Sequence, residues 1–264
     1  MIKHGFPAYL ECSSKGDARF SAFQARIKAR GNQSIESIYQ AAKVFEDGTT
    51  GLDWREAKSK RPVNIMQVRA LYSTLWQEYI KENPDLVPEL LSARGLSDMF
   101  GQPGSACQAT ELWEIRQSIM LLDIEGFVRV TNKRAGSSLR PDADEVLIAV
   151  DRSNPVLGNP FILKNVNDDR ERYKVIDNFS SKLYADMLAG GPMLQEVQNL
   201  ADRLVRGENV CLDCWCAPKP CHGHVIAAAA VERAWRLIHG MSPDFDQEPT
   251  VQPEAPRNPQ PKLF

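Results

Sequence analysis

No stretch of this chain approaches the roughly 18 consecutive apolar residues of a membrane-spanning helix, and its opening MIKHGFPAYLE lacks the apolar core of a secretion signal. No membrane partner is expected, and the sequence reads as that of a cytoplasmic protein. Neither charge is in excess: 32 Lys and Arg face 34 Asp and Glu, for a net charge of −2 and a pI near 6.1. An overall basic field for nucleic acid or an anionic lipid surface is thereby excluded, and only a local patch remains open. No internal repeat is found. Cysteine is sparse, at six residues. In a reducing compartment thiols stay free, so clustered cysteines point to metal binding, catalysis or burial rather than disulfides.

What is present is an ordinary globular composition, 43% hydrophobic and 25% charged over 264 residues. That length favours two modest domains over one. In the first half, Ile35, Ile38, Tyr39 and Ala42 recur at helical spacing behind a capping Ser34. A second helix follows Asn64 and stops before Pro84, and a third runs from about Asp85 to Gly95. LSDMFGQPGSA reads as a loop, and ATELWEIRQSIMLL as a fourth helix. Residues 1–124 are therefore expected to form a mostly helical domain.

From residue 125 the pattern changes. Residues 125–144 include RAGSSLRPDAD, which is polar and aperiodic, and are expected to be a linker or insertion. EVLIAVD has the continuous apolar character of a buried parallel strand. Residues 168–189 and 192–206 read as helices, NVCLDC as a strand and HVIAAAAVERAWRLI as a closing helix. The expected fold is α+β: a mostly helical N-terminal domain plus a small α/β, parallel-sheet, Rossmann-like domain over 145–240. In such a unit functional loops leave the carboxyl ends of the strands, where GNPF and CWCAPKPCHGH fall. Residues 241–264 hold six prolines and few apolar side chains, and are expected to be disordered.

Cys211, Cys214, Cys216, Cys221, His222 and His224 crowd one short segment with spacing C-x2-C-x-C-x4-C-H-x-H. Zinc takes about four nitrogen or sulfur ligands, which Cys214, Cys216, Cys221 and His222 supply from one loop. A structural zinc site more often draws ligand pairs from two segments. Free cysteine is also among the most buried residue types, so tight-turn packing accounts for the same cluster. A third reading takes His222 as the start of a helix whose N-terminus, with Lys219, holds an anion or nucleotide. All three stay open.

From VLIAVDRSNPVLGNPF through NVCLDCWCAPKPCHGHVIA, about residues 145 to 235, the chain resembles a phage and bacterial family of uncharacterised domains. Gly158, Asn159, Pro160, Phe161, Cys214, Cys216, Pro218, Cys221 and His222 carry the resemblance. His224 stands where that family often has an acidic residue. The resemblance implies a fold and no activity.

In the first half, Glu36, Gln40 and Lys43 form a polar stripe on one helix side. In a pocket such a carboxylate and amine shift towards catalytic pKa values, whereas a solvated helix face gives the same stripe. The order RFSAFQARI, SIESIYQAAK, ENPDLVPELL, LSDMFG and LWEIR, spanning about residues 6 to 118, resembles the NADAR family of N-glycosidases. Phe20, Phe23, Ser34, Glu36, Tyr39, Gln40, Lys43, Asn83, Pro84, Leu86, Asp98, Gly101, Leu112 and Arg116 match its pattern. Ser37 replaces the usual histidine, Phe100 the usual tryptophan, and the spacing from Asp98 is one residue short.

The resemblance implies hydrolysis of an N-glycosidic bond in an ADP-ribosyl or nucleotide-type substrate, with no cofactor required. It makes Glu36 the general base, has Asp98 orient ribose hydroxyls or water, and has Lys43 and Arg116 hold phosphate or tune Glu36. Gln40, Asn159 and Lys219 are further expected binding residues, and Phe100 or Trp54 a base platform, though both aromatics equally suit core or loop packing. A helix ion pair of Arg116 with Glu111 or Glu114 is the plain alternative for that arginine. One rival is a non-enzymatic nucleotide- or nucleic-acid-binding module, with zinc in the loop and Lys219, Arg233 and Arg236 facing phosphates. Another is a cysteine-dependent enzyme in which His222 activates Cys216 or Cys221.

Overall fold

The computed structural model describes residues 2–5, 9–57, 60–93, 95–101, 107–134 and 139–241. Its N-terminal part contains strands β1 (Ile2–Gly5), β2 (Tyr9–Glu11), β3 (Arg26–Ile27) and β4 (Gln33–Ser34). Helices α1 (Ile35–Ala41), α2 (Trp54–Ala57), α3 (Ile65–Glu82) and α4 (Val87–Ser92), strand β5 (Gly95–Asp98) and helix α5 (Gln108–Leu121) complete it. Ser34 caps α1, its hydroxyl accepting the Ser37 N–H at 3.2 Å. The apolar face of α3 buries Val68, Tyr72, Leu75 and Trp76 beside Phe20, Ile27, Ile35, Leu96 and Leu112.

The C-terminal part is the small α/β unit. It comprises β6 (Phe127–Asn132), β7 (Val146–Ala149), α6 (Asp169–Leu188), α7 (Pro192–Val205), β8 (Asn209–Cys214) and α8 (His222–Ile238). The three strands are parallel in the order β6-β8-β7, with Val128 and Val146 both opposite Val210. Helical N-terminal region and parallel C-terminal sheet together make the expected α+β fold.

Three local expectations change. LSD is not loop: β5 is the central strand of a sheet ordered β1-β5-β2, antiparallel to β1 and parallel to β2. Its polar Ser97 hid the strand signal, and the hydroxyl is satisfied in place by the Glu11 carboxylate at 2.6 Å. Part of the segment expected as a linker supplies β6, whose Arg129 is neutralised by Glu145 at 2.6 Å and Asp142 at 3.0 Å. Within this sheet β8, buried from Val210 to Cys214, rather than β7 is the covered strand, since β7 lies at an edge with Leu147 54% exposed. Residues 135–138 of the expected boundary and the expected disordered stretch 242–264 lie outside the described residues.

Helix α5 ties the two parts together. Its Leu112 belongs to the N-terminal core, while Met120 and the following Ile124 pack into the C-terminal core with Phe179, Val197, Leu212 and Ile226. Among the described residues no helix is long and apolar enough to cross a membrane.

Candidate functional site

Loops leave the carboxyl ends of the neighbouring strands β7 and β8, and between them, against α6, lies a cavity of about 500 Å³. Such a position at the ends of parallel strands is where open α/β sheets bind ligands. The loop after β7 is shaped by its own asparagines. Asn154 donates to the Ala149 carbonyl at 2.8 Å and accepts from the Val156 and Leu157 N–H groups at 2.9 and 2.7 Å. Asn159, buried in the cavity wall, accepts the Phe161 N–H at 2.9 Å. Between them Gly158 approaches the backbone so closely that a Cβ would sit 2.3 Å from the Asn154 carbonyl oxygen. Only glycine fits there.

The loop after β8 folds back on itself. The Lys219 N–H bonds the Cys216 carbonyl at 3.0 Å, the Ala217–Pro218 bond is cis, and the Asn132 amide holds the Ala217 carbonyl. Cys221 is thereby carried onto Cys214 and Cys216, and the three Sγ atoms all lie within 4.8 Å of one another. Tetrahedral zinc with Zn–S bonds of about 2.3 Å sets sulfurs about 3.8 Å apart, so small side-chain adjustments bring this set onto one ion. The cluster is therefore able to hold a metal. Cys216 ionises most readily, because Cys214 and Cys221 hydrogen-bond it and Arg172 adds positive potential; the two donor thiols are pushed up.

The other members of the sequence cluster are outside the set of three converging thiols, although His222 lines the same cavity and His224 Nδ1 stands 3.7 Å from the Cys221 sulfur. Cys211 points away and donates to Thr131 Oγ1 at 2.8 Å. His222 is buried, packed edge-on against Phe179, with Nε2 held by the Val150 carbonyl at 2.5 Å. Burial lowers its pKa, so the ring is a neutral donor committed to the backbone. That bond commits Nε2 to the backbone, and His222, expected as a metal ligand or as activator of a cysteine, is not part of the converging set. His224 Nδ1 lies 3.3 Å from the Cys221 nitrogen, which closes the first turn of α8.

Charge in the cavity wall comes from residues that sequence reading passed over. Asp151 is held well below the ordinary carboxylate range by Lys133 at 2.8 Å, and it fixes the exposed Trp215 through a 2.9 Å bond from the indole N–H. Arg172 of α6 is 5% exposed, gives Nη2 to the Val166 carbonyl at 2.9 Å and Nη1 to Pro220 at 3.4 Å, and leaves Nε without a partner. A signal for it existed: Arg172, Ile176, Phe179 and Leu183 share helical spacing, so a cation interrupts an apolar stripe.

The N-terminal constellation stands apart from this cavity. On α1, Gln40 Nε2 donates to Glu36 Oε1 at 2.6 Å. Burial raises the Glu36 pKa, against the opposing pull of Gln40 and Lys43, and burial lowers that of Lys43. The Lys43 ammonium stands 4.5 Å from the Tyr39 ring centre. Gln40 Oε1 is buried with no partner, as is the hydroxyl of Ser21, next to Ala22, whose carbonyl accepts the Glu36 N–H at 2.9 Å. Asp98 is buried, with Oδ1 accepting from the Phe100 N–H at 2.9 Å and Oδ2 from the Cys107 thiol at 3.2 Å. Burial pushes the Tyr72 hydroxyl well above its ordinary value, and the charges of Glu36 and Asp98 add to that.

Several expected ligand contacts are corrected. Arg116 is fully buried and pairs with Glu232 of α8 at 3.1 Å, and its remaining N–H groups go to the carbonyls of Leu90, Leu91 and Ala93. At 0% exposure it does not face a phosphate, and its carboxylate partner is Glu232 rather than Glu111 or Glu114. Arg233 is buried against Gln198, and Arg236 pairs with Glu232 at 3.2 Å, so α8 does not present them to nucleic acid. Lys219 Nζ is tied to the Val166 carbonyl at 3.1 Å, outside the cavity wall. Phe100 is 59% exposed and Trp54 39% exposed, the latter against Phe23 at 6.1 Å and under Arg55 at 5.0 Å.

No curated protein and no solved structure matches this chain. Residues 131–232 match the model of a domain of unknown function, DUF4326, a span that opens at the end of β6 and takes in both cavity loops and the three clustered cysteines.

Proposed function

We propose that the protein hydrolyses an N-glycosidic bond of an ADP-ribosyl or nucleotide-type substrate, with the chemistry on α1. The supporting observation is the Glu36–Gln40 pair: a partly buried carboxylate with a raised pKa, oriented at 2.6 Å by an amide whose own buried oxygen lacks a partner. An unpaired buried acceptor is costly, and a substrate hydroxyl satisfies it. Glu36 takes a proton from water as the new C–O bond forms at the anomeric carbon and the C–N bond breaks, with the base leaving on the bonding electrons and then gaining a proton. The transition state carries positive charge on the sugar, which the ionised carboxylate stabilises. Lys43 tunes that carboxylate from the same helix side, and Asp98 fixes the turn from β5 towards α5. The resemblance to NADAR N-glycosidases over residues 6–118 leads to the same reading.

The test is product release from ADP-ribosylated bases, NAD and phosphorylated N-ribosides, with wild type beside Glu36→Gln. Cleavage that disappears in the variant supports the reading. Absence of turnover across the panel by folded protein rejects it.

A second reading concerns the thiols. Their convergence favours zinc as the ion held by Cys214, Cys216 and Cys221, in a loop-stabilising role within a nucleotide-binding module.

A further inference from the structure

Two arginines line the cavity between the β7 and β8 loops, and neither has a carboxylate partner among the described residues. Arg172 is nearly buried with Nε unpaired, and the exposed Arg152 gives a single 3.3 Å bond to the Phe161 carbonyl. The carboxylate in the cavity wall, Asp151, is already neutralised by Lys133. A buried guanidinium N–H without a partner is costly, and an anion bound in the cavity offsets that cost, with Cys216 beside it sharing the same positive potential. The N-terminus of α8, a helix of 17 residues, opens at His222 in the same wall and adds a favourable field for negative charge.

The rest of the wall suits a planar body attached to that anion. Phe161, Val175 and Ile176 are apolar, and Trp215, 53% exposed, is held in place by its bond to Asp151 rather than by burial. A fixed, exposed indole at a cavity mouth is a stacking surface. At about 500 Å³ the space lies within the usual range for small-ligand pockets.

We propose that this cavity binds a nucleoside monophosphate or the equivalent end of a larger nucleotide, its phosphate on Arg172 and Arg152 and its base on Trp215. The site does not use Glu36 and is separate from the chemistry proposed on α1. Nucleotide affinity here and N-glycoside cleavage there are independent properties.

Titration of the full-length protein with AMP, GMP, inorganic phosphate and adenosine tests this, followed by calorimetry and tryptophan fluorescence. At least one nucleotide should bind, phosphate should compete with it, and adenosine should bind about tenfold or more weakly because it lacks the charge. Arg152→Gln and Arg172→Lys should each weaken nucleotide binding by roughly five- to tenfold, the latter because an ammonium does not replace the planar fork. Trp215→Phe should remove the fluorescence response, and Glu36→Gln should leave affinity unchanged. Should Arg172→Lys fail to fold, Arg152→Gln and the comparison of AMP with adenosine still decide. No nucleotide binding by folded wild type, adenosine binding as tightly as AMP, or unaltered affinity in the folded arginine variants overturns the proposal.

Discussion

Arg116 and Glu232, 116 positions apart in sequence, meet at 3.1 Å with side chains 0% and 1% exposed. The pair joins α5 to α8 and so joins the helical part to the parallel sheet. Its charges are fully desolvated, and the geometry compensates for this: Arg116 gives its other N–H groups to three backbone carbonyls, and Glu232 also receives Arg236. A sequence reader assigns this arginine to a phosphate or to a nearby helix partner; in the fold it is a fastener between the two parts.

Arg116→Ala should therefore destabilise the whole chain, by about 3–5 kcal/mol, because Glu232 is left charged and buried. Thermal unfolding should drop by roughly 10 °C. The double variant Arg116→Met with Glu232→Leu should recover much of that loss. If the single variant unfolds within a degree of wild type, the pair is not the fastener described.

Zinc should copurify at about one ion per chain when the thiols are kept reduced, and Cys221→Ser should abolish it. Cys211→Ala and His222→Ala should retain it, since Cys211 faces Thr131 and His222 faces the Val150 carbonyl. Metal analysis of these variants separates a three-thiol site from the wider cluster, and loss of zinc from His222→Ala would return that residue to the ligand set.

Cleavage by Glu36 should fall with acidification around a midpoint above the ordinary carboxylate value, because burial raises this pKa and a general base works only when deprotonated. The dependence of kcat/KM on pH reads this out. A midpoint at or below that of a free glutamate would remove Glu36 from the role.

The same burial carries an opposite sign for stability. The folded protein holds the Glu36 proton more tightly than the unfolded chain, so stability declines as pH rises from the unfolded value through the raised folded one. Above both values the ionised carboxylate is a standing cost. Glu36→Gln should then melt at or slightly above the wild-type temperature at pH 7 while losing activity, as catalytic sites often do. A large loss of stability would instead make Glu36 a structural residue.

Gly158→Ala should damage the cavity from a distance. Its Cβ would meet the Asn154 and Asp151 carbonyl oxygens at 2.3 and 2.7 Å, so the loop carrying Arg152 and Asn159 must move. A fall in melting temperature of several degrees, with at least a tenfold loss of nucleotide affinity, is expected.

Helix positions were legible because burial in α3, α6 and α7 follows a 3.6-residue rhythm, and Ser34 and Pro84 mark ends by local chemistry. Two strands were not. β5 carries serine and aspartate inward, each satisfied by a residue remote in sequence or across a turn, and β6 carries an arginine cancelled only by Glu145 and Asp142. Of the candidate site, the cysteine density and the GNPF loop were visible, as was the Glu36 stripe. Which cysteines converge, and that His222 turns to the backbone, depend on how the loop after β8 folds back.

The sequence by itself determined the α+β class, the order of helices and the crowding of thiols between a strand and a helix, because these follow from periodicity, capping and local spacing. Tertiary structure alone decided the charges. It buried Arg116 against Glu232, cancelled Asp151 with Lys133, left Arg172 with an unpartnered Nε beside a cavity and separated that cavity from Glu36. Burial and partnership set what a charge does, and both arise between residues far apart in the chain.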